Sequence, residues 1–169
     1  MNWTELLKGE IESTYHATEG LLKLVDKDKL SWKPATGSNW MSTGQLLMHI
    51  TNACGACCKG FVTGDWGMPK DMKPEDMLPP AEKLPAVKSL DEAQKLLAED
   101  KKVALRMVVE AGEKDLTSKP ATAPWDPRPM ALGQRLLQMV GHLGQHKGQL
   151  FYYLKLQGKP VNTGNLWGM

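Results

Sequence analysis

The amino-acid sequence predicts an all-α fold, a four-helix bundle with one long crossover connection. Four segments carry apolar residues at helical spacing, and no segment alternates apolar and polar residues over the length of a confident strand. Two proline-rich stretches separate these segments, and proline prevents a long helix from forming there. Four amphipathic helices of similar length can bury their apolar faces against one another, which is the arrangement of a bundle.

The first two helices are predicted from their apolar stripes and from one start signal. The first runs from about Trp3 to Val25, and the second runs from about Thr43 to Phe61. Ser42 and Gln45 have the spacing of a capping box, in which each side chain accepts a backbone N–H of the other residue. The second helix should therefore begin directly after Ser42.

The third and fourth helices are delimited by similar signals. The third runs from about Leu90 to Ala111, with a second capping-box spacing at its start and Gly112 as a suitable stop. The fourth runs from about Ala131 to Leu156, and a glycine and a proline follow it closely. The stretch between the second and third helices is long, which predicts a crossover connection rather than a tight hairpin.

Length and composition restrict the class of protein. The chain has 169 residues and a mass of 18.7 kDa, which predicts a single domain over residues 1–169. A net charge of +2 with no basic run argues against nucleic-acid binding. The first residues do not have the pattern of a signal peptide, and no apolar stretch approaches the ~18 residues of a membrane span. We therefore expect neither a nucleic-acid partner nor a membrane partner.

The three cysteines cluster at Cys54, Cys57 and Cys58. An odd, clustered set is a poor disulfide framework, and it favours a reducing cytoplasm. Cys54 and Cys57 have the spacing of a redox pair, but they are predicted in the middle of a helix, away from the helix N-terminus where thiolates are favoured. We interpret them as small buried apolar residues.

Three of the four histidines can converge on one metal ion. His142 and His146 are four residues apart on the fourth helix, so they lie ~40° apart around its axis on successive turns. They lie at one edge of its apolar arc, and His49 lies at the corresponding edge of the second helix. A shared metal explains this arrangement better than three separate core histidines. His16 lies nearly opposite the apolar stripe of the first helix and should face solvent.

Two stretches of the chain resemble the DinB/YfiT-like superfamily. The stretch HLGQHKGQL begins at His142, and YLKLQGKP begins at Tyr153; together they are similar to the family's pattern H-x-x-x-H-[RK]-G-Q-[LI] followed by Y-L and G-x-P. The stretch LSWKP from Leu30, followed by STGQLLMHI from Ser42, resembles the family's second helix, in which a W/Y-x-P turn precedes a helix with one histidine.

The resemblance implies a four-helix bundle that holds a divalent metal through three histidines. Carried over by position, the ligands are His49, His142 and His146. Family members of known activity include thiol-dependent transferases and isomerases, such as mycothiol-dependent maleylpyruvate isomerase and bacillithiol transferase. Three neutral imidazoles also leave a divalent ion with an open position, where water or a small thiol can ionise. Zn or Ni is the expected metal, with Fe as an alternative.

The expected function is that of a metal-dependent enzyme acting on a small-molecule substrate with a low-molecular-weight thiol as cofactor. One alternative is a metal-dependent hydrolase, since the same ion would also activate water. A second alternative, from another class, is a non-catalytic metal-binding or stress-response interaction protein.

Two charged residues intrude into predicted apolar arcs, Asp100 on the third helix and Lys147 on the fourth. A buried ion pair between them is one interpretation. In another, Asp100 accepts the N–H of a ligand histidine. In the third, each side chain reaches water from a helix end or by extending along the surface.

The fourth helix also carries three glycines on a second face, at positions Gly141, Gly144 and Gly148. Glycine inside a helix costs up to ~1 kcal/mol relative to alanine, so close packing of another helix, within or between subunits, is expected here. A channel to the metal is the alternative. The resemblance and this face together predict a homodimer.

Three tryptophans in or beside loops are expected to cover the pocket, namely Trp40, Trp66 and Trp125.

Overall fold

The computed structural model describes residues 2–69, 72 and 79–169. Its main elements within these ranges are six α-helices and two strands: α1 (Trp3–Leu22), α2 (Thr43–Ile50), α3 (Gly55–Thr63), α4 (Leu90–Ser118), β1 (Pro120–Ala123), β2 (Asp126–Ala131), α5 (Leu132–Leu156) and α6 (Thr163–Trp167). Helix α1 packs on α4 and α5, α2 packs on α5, and α3 packs on α4 and α5. The all-α bundle is confirmed, with α2 and α3 together in the place of the second predicted helix.

The prediction of one continuous second helix is wrong, because the chain leaves the helix between α2 and α3. The capping box of Ser42 and Gln45 is present as expected, but α2 ends at Ile50. Cys54 has φ −120° and ψ −65°, outside helical geometry, and α3 then begins at Gly55. The side chain of Asp100 on α4 accepts two backbone N–H groups at the start of α3, which replaces the helical hydrogen bonds lost at the break.

At the predicted stop after Ala111, α4 is kinked but does not end. Gly112 interrupts it with φ 68° and ψ 164°, and the chain then resumes helical geometry as far as Ser118. The carboxylate of Glu113, directly after the interruption, accepts the backbone N–H groups of Trp3 and Thr4 at 3.0 Å each. The glycine therefore redirects the chain so that α4 caps the first turn of α1.

A short antiparallel hairpin, β1 and β2, occupies the second proline-rich stretch and was not predicted. Prolines in short strands weaken the strand pattern, so the sequence contained little signal for it. The hairpin is held by Arg135 of α5, whose side chain is 2% exposed. Its guanidinium donates to the carboxylate of Asp126 at 3.1 Å and to the carbonyls of Ala121 and Arg128.

The long connection between the second and third predicted helices is confirmed, since α3 ends at Thr63 and α4 begins at Leu90. In its described part, Gln45 donates from its side-chain amide to the carbonyls of Ala81 and Leu84, at 2.7 and 2.9 Å. The connection is thereby attached to the first turn of α2, the helix that carries His49. In the part of the chain that the structure describes, no helix has both the length and the apolar character that crossing a membrane requires.

Candidate metal centre

The three predicted ligands come together where α2 packs on α5. His49 lies in the last turn of α2, and His142 and His146 lie on successive turns of α5. The Nε2 atom of His142 is 3.3 Å from that of His49 and 3.0 Å from that of His146. One ligand atom from each ring lies within 4.8 Å of the other two, so the three side chains can hold a single metal ion. All three rings are partly buried.

The orientation of His142 follows from a backbone contact. Its Nδ1 atom lies 3.0 Å from the carbonyl oxygen of Ala53, in the turn between α2 and α3. A carbonyl can only accept a hydrogen bond, so Nδ1 carries the proton and donates. In a neutral imidazole the other nitrogen, Nε2, then has a free lone pair, which points toward the other two histidines.

A series of hydrogen bonds through the side chains of Gln149 and Tyr153 orients His146 in the same way. Its Nδ1 atom lies 3.0 Å from Oε1 of Gln149. The amide of Gln149 is 3.5 Å from the hydroxyl of Tyr153, which donates at 2.9 Å to the carbonyl of Met41. These contacts make Oε1 the acceptor of the Nδ1 proton, so Nε2 of His146 also presents a lone pair to the centre.

Gln149 is a functional candidate that the sequence reasoning missed. It lies within the stretch that resembles the family, three residues after His146, and this spacing places it on the same helix face. Metal-binding histidines commonly donate their second nitrogen to such a partner. The i, i+3 spacing from a proposed ligand was therefore the signal that could have found it.

The histidine cluster fits a metal ion. The Nε2 atoms of His142 and His146 are 3.0 Å apart, and each presents a lone pair to the other. This arrangement is unfavourable unless a cation lies between them. Two nitrogens bound at ~2.0–2.1 Å to one tetrahedral ion lie about 3.3–3.4 Å apart, close to the observed separations. Burial and the neighbouring rings lower the pKa of His49 to about 4, and burial lowers the pKa of His146. Both rings are therefore neutral near pH 7, as metal binding requires.

Asp100 and Lys147 each bind other partners, so the interpretation as a buried ion pair is wrong. The carboxylate of Asp100 is buried and accepts the hydroxyl of Tyr15 at 2.6 Å as well as the N–H groups of Gly55 and Ala56. The ammonium of Lys147 donates to the carbonyl of Leu166 at 2.8 Å, near the end of α6. They form no ion pair, and Asp100 does not contact a ligand histidine directly.

The cysteines lie at the beginning of α3, which corrects their expected position in the middle of a helix. Cys54 is the residue before the first turn, and it is buried together with Cys58. Burial, together with the nearby carboxylate of Asp100, raises the pKa of Cys57 to about 12. Because Asp100 already occupies the helix N-terminus, the helix does not stabilise a thiolate. Cys54 is a small buried residue as interpreted from the sequence, whereas Cys57 is only partly buried.

The glycine face of α5 is open. A Cβ atom built at Gly141, Gly144 or Gly148 would meet nothing within 4 Å, so these glycines are not required for close packing inside the chain. Within the described residues, the expectation of helix packing at this face inside the bundle is wrong.

His16 is exposed as expected, with its Nε2 atom 3.2 Å from the carbonyl of Gly168.

The tryptophans divide into two groups. Trp40 packs edge-on against Tyr153, with ring centroids 6.3 Å apart, and so contacts the hydrogen-bond chain of His146. Trp66 and Trp125 instead pack on each other at 5.3 Å and on Phe61 of α3. Only Trp40 therefore has a contact in line with the expected covering role.

Fold and site together define a class of protein, a helical bundle with an i, i+4 histidine pair on one helix and a third histidine on its neighbour. The family model of the DinB superfamily matches residues 10–150, and the chain belongs to this superfamily.

Two solved structures share the fold. A DinB-like protein from Bacillus subtilis has a TM-score of 0.66 at 19% identity, covering 92% of this chain and 94% of that chain. A DinB-like protein from Bacillus cereus has a TM-score of 0.65 at 18% identity, covering 89% of this chain and 90% of that chain. The search of curated proteins found no match.

Proposed function

We propose that this protein is a metal-dependent enzyme that binds one divalent metal per chain through His49, His142 and His146. The convergence of one ligand nitrogen from each of the three rings within 4.8 Å carries this proposal. Two of these atoms are held as acceptors, because the Nδ1 protons of their rings are bound elsewhere. Zn or Ni is the proposed metal, with Fe as an alternative, since imidazole suits all three.

The proposed reaction is thiol transfer or isomerisation of a small electrophilic substrate. When bound, a divalent ion held by three neutral imidazoles supplies a Lewis acid that lowers the pKa of a thiol or of water. The choice of a low-molecular-weight thiol rests on the resemblance to thiol-dependent members of the superfamily. No histidine remains in the described site as a general base, because three serve as ligands and His16 is exposed on α1.

Metal analysis of untagged protein tests the site. We expect one equivalent of metal per chain in the wild type and a loss of at least about tenfold in occupancy for His146→Ala. His16→Ala is the matched control and should keep full occupancy, since its side chain lies outside the cluster. Undiminished metal in His146→Ala would refute the proposed ligand set.

Cobalt substitution tests the thiol. Glutathione, cysteine, mycothiol or bacillithiol should produce a sulfur-to-cobalt charge-transfer band that is absent in His142→Ala. If cobalt binds but no thiol changes its spectrum while water still exchanges, the transferase proposal fails and a hydrolase becomes the better one. If neither thiol nor water reaches the ion, a non-catalytic metal-binding protein is indicated.

The proposed assembly is a homodimer. The open glycine face of α5 supports it, because small residues with free space above them let a second helix approach closely. The exposed side chains of Tyr152 and Leu156, at 64% and 66% exposure, continue the same helix and add apolar surface. A cytoplasmic location stays a prediction from the cysteine pattern.

A further inference from the structure

We propose that Asp100 is a positioning residue for the metal centre. It acts through the backbone turn between α2 and α3, which presents the carbonyl of Ala53 to His142. The expected effect on metal affinity rests on the proposed function. The hydrogen bonds that support the inference do not depend on a metal.

The first step is that the buried carboxylate of Asp100 accepts hydrogen bonds from the start of α3. Asp100 is 7% exposed, and its Oδ2 and Oδ1 atoms accept the N–H groups of Gly55 and Ala56 at 2.9 and 2.8 Å. In a continuous helix these two N–H groups would bond to the carbonyls of Thr51 and Asn52. The carboxylate therefore satisfies the donors that the break leaves without partners.

The second step is the release of the Ala53 carbonyl. A continuous helix would use this oxygen as the acceptor for the N–H of Cys57. Here the first helical bond of α3 runs from the N–H of Cys58 to the carbonyl of Cys54 at 2.8 Å. The oxygen of Ala53 therefore lies just outside α3, where it accepts the Nδ1 proton of His142 at 3.0 Å.

The third step is the rigid contact between the turn and α4. A Cβ atom at Gly55 would lie 2.0 Å from the backbone oxygen of Asp100 and 2.7 Å from its Oδ1 atom. Only glycine permits this approach, so the turn and Asp100 are held at van der Waals contact. A change in the hydrogen bonds of Asp100 is thus transmitted to Ala53, two residues before Gly55.

Two near-isosteric variants separate this role from a general effect on stability. Asp100→Asn keeps one acceptor oxygen but places an NH₂ group against a backbone N–H. Tyr15→Phe is the matched control, because it removes a 2.6 Å hydrogen bond to the same carboxylate and leaves the N–H groups of Gly55 and Ala56 available to that carboxylate. Both variants remove buried hydrogen bonds of Asp100 and should lower the melting temperature.

Zinc affinity is measured by chelator competition at a temperature at which both variants are folded by circular dichroism. We expect Asp100→Asn to weaken zinc binding by about 10- to 100-fold, the usual effect of losing an outer partner of a ligand. Tyr15→Phe should stay within about threefold of the wild type. Equal zinc affinity in Asp100→Asn and the wild type would overturn the proposal.

A measurement on the metal-free protein separates this proposal from the metal site itself. Two-bond ¹H–¹⁵N correlation should show His142 protonated at Nδ1 in the wild type and in Tyr15→Phe, and a mixture of tautomers in Asp100→Asn. If the wild type binds no zinc, the proposed function fails while this readout still tests Asp100. An unchanged tautomer in Asp100→Asn would refute the inference.

If Asp100→Asn does not fold, Ala56→Pro replaces it. The exposed Ala56 lies in the first turn of α3, where proline is tolerated, and the change removes one N–H that Asp100 accepts. A loss of zinc affinity of about 3- to 10-fold is expected from removing one of the two contacts. No loss would overturn the proposal.

Discussion

At the residue scale, the candidate site depends on which nitrogen of each imidazole carries its proton. His142 donates from Nδ1 to a backbone carbonyl, and His146 donates from Nδ1 to Gln149. Both contacts select the tautomer with a free Nε2 lone pair, so these two rings have the orientation and protonation that metal binding needs even in the metal-free protein. The partners come from different parts of the fold, a turn beside α2 and the next turn of α5.

Removing the partner of His146 should weaken the metal site. We expect Gln149→Ala to lower zinc affinity by about tenfold, because His146 loses the acceptor that fixes its tautomer. Gln145→Ala, at an exposed position on the same helix, is the control and should bind zinc as the wild type does. Isothermal titration calorimetry measures both, and equal affinities would show that Gln149 has no orienting role.

The cysteine thiols at the start of α3 should react slowly. With its pKa raised to about 12 by burial and by Asp100, Cys57 is less ionised at pH 8 than an ordinary thiol by a factor of about 1,000. Alkylation by iodoacetamide should therefore be at least about 100-fold slower in the folded protein than in urea. The rate should rise with pH up to that pKa, because the thiolate is the nucleophile. Fast alkylation of the folded protein at neutral pH would contradict the interpretation.

At the element scale, one glycine determines how the second helix of the bundle is divided. Gly55 begins α3 at a point where α4 leaves no space for a side chain. The same approach allows Asp100 to cap α3, and the break returns the chain so that Ala53 faces α5. The division of this helix is therefore part of the construction of the site.

Adding a methyl group at this point should be costly. Gly55→Ala would place its Cβ atom 2.0 Å from the backbone oxygen of Asp100, so we expect a loss of at least about 2 kcal/mol in the free energy of unfolding. Gly9→Ala in α1 is the matched control. Its Cβ would meet nothing within 4 Å, and a gain of about 0.5–1 kcal/mol is expected from helix propensity. Urea denaturation checks both values, and a neutral Gly55→Ala would mean that the turn can move freely.

At the scale of the whole molecule, α5 connects the site to the rest of the bundle. It packs against α1, α2, α3 and α4, carries two proposed ligands and holds the hairpin through Arg135. On its remaining face, the described residues leave free space above three glycines, where a second molecule can approach. A homodimer through this face would place two metal centres on the same pair of helices.

Light scattering at micromolar concentration tests the assembly. The wild type should have twice the chain mass of 18.7 kDa. Gly141→Leu should shift it to the monomer, because the larger side chain prevents close approach of a second α5 helix, whereas Gly9→Leu on α1 should remain dimeric. A wild-type species of 18.7 kDa alone would refute the dimer, and a dimeric Gly141→Leu would place the interface on another surface.

Local patterns in the chain were enough to predict the helical bundle, its long connection and the three clustered histidines. Apolar spacing and the i, i+4 spacing of His142 and His146 reflect the geometry of a single helix, which any helical segment obeys. The break before Gly55, the hairpin and the partners of Asp100 could not be predicted in this way. The break and the partners of Asp100 depend on contacts between segments far apart in sequence, since 45 residues separate Gly55 from Asp100. The hairpin is local, but its prolines weaken the strand pattern. A buried carboxylate takes whichever donors the neighbouring elements leave without partners, and only packing between those elements determines which donors these are.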